Sequence, residues 1–175
     1  SVPTVLRTAY LYARMGFGFS MEAAMPPLYA RHTHEEIRDT PIIDQGALPV
    51  FGNNWFVLEY IKENETENTA AYIAWLLNQT KGYGIKCVNP GGTEAWGWGL
   101  NCEAVDDVVP YFDVSPRQIV SGLIEANEYL GLPHCMHVHG NSLGEPGNYG
   151  ITLDTLKIAE DFKPQNDFGR EVVLH

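Results

Sequence analysis

Tyr83-Gly84-Ile85-Lys86-Cys87-Val88-Asn89-Pro90-Gly91-Gly92 lies between two helical patterns and reads as a strand closed by a turn. Upstream, Thr66 to Thr80 carries Ala70, Ile73, Ala74 and Leu77 on one helical stripe, with Gly82 just beyond. Downstream, Ser115-Pro116-Arg117-Gln118 opens a second helix. Ser is the N-cap, Pro takes the first position, and Gln closes a capping box. Ile119, Val120, Leu123, Ile124 and Leu130 follow at helical spacing, and Gly131 stops the run. A strand flanked by helices predicts parallel pairing, since parallel neighbours need a crossover.

The pattern extends in both directions. Thr4 to Met15 reads as a helix stopped by Gly16, Phe17 to Ala24 as a strand, and Ala47 to Phe51 as another. Cys135 to Gly140 reads as a strand, Thr152 to Phe162 as a helix, and Glu171 to His175 as the start of one more strand. The order α-β-loop-β-α-β-α-β-α predicts an α/β fold with a mostly parallel sheet. In such sheets the chemistry sits at the carboxyl edges of the strands. Those edges here are Glu22-Ala23-Ala24-Met25, Gly52-Asn53-Asn54-Trp55, Asn89-Pro90-Gly91-Gly92 and His139-Gly140-Asn141. They make Asn54, Asn89 and Asn141 candidate substrate contacts.

The chain has 175 residues, 45% of them hydrophobic and 19% charged, enough for a packed core. Eleven Lys and Arg stand against 22 Asp and Glu, for a net charge of −11. That balance argues against a nucleic-acid or membrane-surface partner, because both need clustered cations. Three widely spaced cysteines, Cys87, Cys102 and Cys135, form neither a disulfide framework nor a CxxC metal motif. Reduced thiols, with no charged and apolar leader at Ser1-Val2-Pro3-Thr4, point to a cytoplasmic protein.

Lys86 is the first chemical candidate. Alternation puts it on one face with Gly84 and Val88. It reads either as an edge lysine reaching solvent or as a buried one. A desolvated lysine loses its proton easily. The neutral amine can take up carbon dioxide as a carbamate, a carboxylate-like bridge for two metal ions. The second candidate is His134-Cys135-Met136-His137-Val138-His139. Period two places His137 and His139 together and His134 on the opposite face. His139, at the carboxyl edge, reads as a metal ligand; His137, one layer deeper, as a ligand or a core histidine; His134 as a histidine satisfied by backbone.

His32-Thr33-His34 resembles a metal pair. However, Thr33 and Glu36 read as a capping box opening a short helix, with the histidines astride the cap. The loop Gly91-Gly92-Thr93-Glu94-Ala95-Trp96-Gly97-Trp98-Gly99 reads as a lid or wall for an extended substrate, with Trp96 as a contact, or as packing onto a partner.

The stretches MEAAMPPLYARHTHEEIRDTPIID, FGNNWFVLEY, GYGIKCVNPGGTEAWGWG, PYFDVSP and LPHCMHVHGNSLGEPGNY resemble the amidohydrolase-type subunit of formylmethanofuran dehydrogenase, one family of the amidohydrolase superfamily. The likeness runs over nearly the whole chain. It implies a (β/α)8 barrel with a two-zinc centre, of which residues 1–175 would be a central part, about the second to fifth strands. A full barrel needs about 250 residues.

Carried over residue by residue, Lys86 matches the carboxylated lysine bridging the zinc ions, and His139 matches the fifth-strand ligand. The family's HxH on the first strand, its sixth-strand histidine and its eighth-strand aspartate have no counterpart. No catalytic acid or base is therefore expected within the chain, and His175 would fall just short of the sixth-strand ligand. The implied reaction interconverts formyl-methanofuran with formate and methanofuran. Molybdenum or tungsten pterin and iron–sulfur clusters would belong to partner subunits. The alternatives are the large subunit of the bacterial formyltransferase/hydrolase complex, a dihydroorotase- or hydantoinase-type enzyme, or a non-catalytic scaffold.

Overall fold

The computed structural model describes residues 4–175; Ser1, Val2 and Pro3 of the leader reading lie outside the described residues. Helix α1 (Val5–Arg14) is capped by Thr4, whose side chain accepts from the Arg7 N–H. Strand β1 (Phe19–Met25) follows, then a 3-10 turn at Pro27–Tyr29 and helix α2 (Ala30–Arg38). Strand β2 (Asp44–Pro49) leads into α3 (Trp55–Lys62) and α4 (Thr66–Thr80). Strand β3 (Lys86–Val88), the short α5 (Gly92–Trp96), α6 (Pro116–Tyr129), β4 (His137–His139) and α7 (Tyr149–Ile158) complete the order, with a 3-10 turn at Ala159–Asp161.

β1 pairs with β2 and β3 with β4, both parallel. Single parallel bridges extend this order. Val50 meets Lys86 at the end of β2, and Leu174 meets Met136 beside β4. Backbone bonds support both joins: Tyr83 N donates to Ala47 O at 2.8 Å, and Val138 N to His175 O at 2.8 Å. The alternating strand–helix pattern thus gives an α/β chain with parallel neighbours.

One face of the strands meets the helices. Ile85, Cys87 and Met136 are buried there against Val57, Leu58, Ile73, Ile119 and Leu123 from α3, α4 and α6. Two glycines permit this close approach. A Cβ on Gly52 would sit 2.1 Å from Cys87 Sγ, and one on Gly122 would sit 2.7 Å from Ile61 Cγ1. The capping box at Ser115 is complete: Gln118 N donates to Ser115 Oγ, and Ser115 N donates to Gln118 Oε1.

Several expectations change. Residues 32–34 lie inside α2, not at a cap, because the helix already begins at Ala30 behind Pro26 and Pro27. His34 Nε2 reaches Thr80 O at 2.8 Å, and His32 lies along the helix from Glu36. Helix α3 is an addition to the expected order, although Asn54 followed by Val57, Leu58 and Ile61 carries the helical period. The glycine- and tryptophan-rich loop contains a helical turn, α5, entered through Gly91 at φ +68°. β2 begins at Asp44, not Ala47, and β3 is shorter than Tyr83 to Asn89.

Candidate metal centre

Lys86 projects from the strand face opposite the helix core and is fully buried, which excludes the solvent-reaching reading. Its register partner across the sheet is His137. The two side chains meet, with Lys86 Nζ 2.6 Å from His137 Nδ1. Burial brings the lysine amine down to about 8, with Cys87 opposing weakly. Burial first, then Lys86 and the neighbouring histidines, brings His137 down to about 4. Both groups are therefore held toward their neutral, lone-pair-bearing forms.

His139 lies on the same face, one layer toward the carboxyl edge and exposed, with its ring 5.7 Å from that of His137. Burial and then Lys86 lower its pKa as well. The histidine touching Lys86 is thus His137, the deeper of the two. His134 is a correction: it lines the same depression as His137 and His175, not the opposite side. Regular strand begins only near Met136, so period two does not reach back to His134. Its Nδ1 meets Cys135 O at 2.5 Å, the backbone satisfaction expected of it.

His175 belongs to this cluster too, a member that the spacing of the other histidines does not reveal. Its backbone pairs with Met136 and Val138, and its ring stands 4.8 Å from that of His137 in an edge-on arrangement. The available signal is the strand pattern from Glu171 to His175; the Met136–Leu174 bridge then sets His175 level with His137. His134, His137 and His175 border an open depression of about 570 Å³, also lined by Phe19, Met21, Leu48 and Tyr83. Among the described residues, no three His, Cys, Asp or Glu side chains converge as a metal site by themselves.

The candidate substrate contacts separate into two groups. Asn54 caps α3: Oδ1 accepts from Phe56 N and Val57 N, and Nδ2 donates to Tyr72 Oη. Its side chain thus has a structural role as a helix cap. Asn141 is fully buried, and its Nδ2 donates to Pro90 O at 2.9 Å, stitching the loop after β4 to the turn after β3. Its Oδ1 is buried without a partner. Asn89 takes φ +46° at the end of β3 and leaves Oδ1 without a partner; Trp96 is 80% exposed. Glu94, between them, has an unpartnered buried Oε2, and burial raises its carboxyl to about 7.

Residues 3–168 match the Amidohydro_3 model of the amidohydrolase family. The chain belongs to the amidohydrolase family. Two curated proteins are similar to it. Protein FwdA of Methanocaldococcus jannaschii is 61% identical over 160 residues, covering 91% of this chain and 28% of FwdA. The FhcA component of the formyltransferase/hydrolase complex Fhc of Methylorubrum extorquens is 39% identical over 150 residues, covering 85% and 27%. The crystal structure of that complex, FhcABCD with methylofuran, superposes with a TM-score of 0.86 at 34% identity, covering 93% of this chain and 32% of the matched one. This amidohydrolase chain therefore spans under a third of the length of the proteins it matches.

Proposed function

We propose that this chain forms the central wall of an amidohydrolase barrel, about its second to fifth strands, within the amidohydrolase-type subunit of a formylmethanofuran dehydrogenase. The activity proposed for the whole protein is zinc-dependent interconversion of formyl-methanofuran with formate and methanofuran. The observation that carries the chemistry is the buried Lys86 amine against His137 Nδ1 at 2.6 Å. The higher identity to FwdA, 61% against 39%, favours this reading over the Fhc component.

The residues present fit a share of a zinc site. Lys86, His137, His139 and His175 supply a potential carboxylate and imidazole nitrogens, the donors zinc prefers. The remaining ligands, and the acid that protonates the leaving amine, are assigned to parts of the longer relatives that this chain does not match. When bound, zinc would activate water and polarise a formyl oxygen. The task of Lys86 is to supply an uncharged amine. Its nitrogen bonds to the carbon of carbon dioxide, one N–H proton leaves, and a carbamate anion replaces a potential cation. His137, held neutral, keeps a lone pair available at pH 7. His175 backs its ring.

Asn89 and Trp96, beyond the carboxyl end of β3, are proposed to meet the one-carbon carrier. Asn54 and Asn141 act behind them, through a helix cap and a loop tie. Partner subunits carrying the molybdenum or tungsten pterin and the iron–sulfur clusters would supply or consume formate. Among the described residues no helix is long and apolar enough to cross a membrane.

The test uses the protein from its complete gene. Intact mass and metal analysis should find one carbon dioxide adduct and zinc, both lost in Lys86→Ala, together with formate release from formyl-methanofuran. A variant that differs from its parent in mass by the Lys-to-Ala change alone and keeps its zinc would reject the reading.

A further inference from the structure

Arg170 sits between the two segments that deliver His137 and His175. Its Nε donates to Leu132 O at 3.2 Å, just ahead of β4. Its Nη1 donates to Val172 O at 2.5 Å, just ahead of the pairing segment Val173–His175. Its Nη2 lies 2.9 Å from the Glu128 carboxylate at the end of α6, and the two side chains are only 7% and 8% exposed.

Both members of the pair are themselves held. Gln165 N donates to Glu128 Oε2 at 2.6 Å, and Asn127 Nδ2 donates to Oε1 at 3.2 Å. Asn166 brackets the Arg170 backbone, accepting from its N–H at 3.0 Å and donating to its carbonyl at 3.1 Å. A buried ion pair adds little net stability over an apolar replacement, because desolvation offsets attraction. Its geometry can still select one arrangement. The planar guanidinium has donors in a rigid fork, which a lysine ammonium does not reproduce.

We propose that Arg170, anchored by Glu128, is a positioning residue: it sets the register of Val173–His175 against β4 and so brings the His175 ring to His137. Without the fork, the terminal segment keeps its three backbone bonds to Met136 and Val138 and the burial of Val173, but loses the side-chain tie that fixes Val172 against the entry to β4. A one-residue slip would turn His175 to the helix face.

The experiment uses the complete gene product, metal-free, as Arg170→Lys and as the charge-neutral double variant Glu128→Gln/Arg170→Gln. Hydrogen exchange is followed in peptides covering residues 136–140 and 171–175, with Thr66–Thr80 as internal control. Folded variants should exchange about tenfold faster in the first two peptides, with the control unchanged. Unchanged exchange in a folded variant overturns the proposal. So does global unfolding of both variants, which would make the pair a requirement of folding instead of register. A second arm rests on the zinc reading above. Competition with a chromophoric chelator should give zinc affinity about tenfold weaker in Arg170→Lys. Faster exchange with unchanged zinc affinity upholds the positioning role and counts against the metal reading alone.

Discussion

Lys86 Nζ and His137 Nδ1 meet at 2.6 Å across two parallel strands, with the lysine fully buried. A protonated lysine there faces desolvation without a carboxylate partner. Burial lowers its pKa from 10.5 to about 8. The unfolded chain then binds more protons between those values, so stability should rise as pH climbs from about 8 to 10.5. Lys86→Met should remove that rise. Urea melts are best compared in a Cys87→Ala background, because the neighbouring buried thiol is raised by its own burial and contributes the opposite slope. A Lys86→Met curve parallel to its parent would contradict the assignment.

Glu94 gives a separate pH signature. Burial raises its carboxyl from 4.5 to about 7. The folded state holds the proton longer, so this group costs stability as pH rises from 4.5 to 7, and the deficit persists above 7. His137, lowered from 6.5 to about 4, has the opposite effect, with stability recovering as pH rises through that range. Glu94→Gln should therefore stabilise the protein by roughly 1–2 kcal/mol at pH 8 and leave the His137 slope exposed below 6.5. Equal stability of variant and parent at pH 8 is the contrary result.

Asn54 distinguishes a helix cap from a substrate contact. Its Oδ1 already serves two N–H groups at the start of α3. Asn54→Ala should cost about 1 kcal/mol of stability, while Asn54→Ser should retain most of it. On the proposed function, the KM of the complete protein for formyl-methanofuran should stay within about twofold for both, a shift of under roughly 0.5 kcal/mol. A large KM increase in the Ser variant would restore Asn54 to the substrate.

Gly52 packs its α-carbon onto Cys87, where an added Cβ would fall 2.1 Å from the sulfur. Gly52→Ala should cost roughly 1–3 kcal/mol through overpacking. Cys87→Ala should recover much of that loss, since it removes the clashing sulfur. Thermal melts of the two single variants and the double variant measure the coupling. Strict additivity would mean the turn after β2 moves away from β3 instead of clashing.

Local signals make much of the fold legible. The stripe in Thr66–Thr80 and the Ser115 box involve residues three or four apart, and both helices form where those signals lie. Asn54 as a cap carries the same kind of signal. It is hidden by the adjacent Gly52 and Asn53, which read as a loop. The helix through residues 32–34 is obscured by Thr33 and Glu36, a cap-like pair that tertiary packing leaves in mid-helix.

The site divides in the same way. Strand parity, a property of the backbone, puts Lys86 on one face and groups His137 with His139. Which histidine touches the lysine depends on the stagger between β3 and β4, and no residue in either strand encodes that alone. His134 and His175 join the cluster for the same reason: one precedes the regular strand, and the other arrives only through pairing more than 30 residues later in the chain. The helices, the parallel alternation and the residue types able to bind a metal are all written in short-range periodicity, so the order of amino acids suffices to find them. The burial of Lys86 and the meeting of Lys86, His137 and His175 are not, because burial and register arise only when distant segments come together and exclude water.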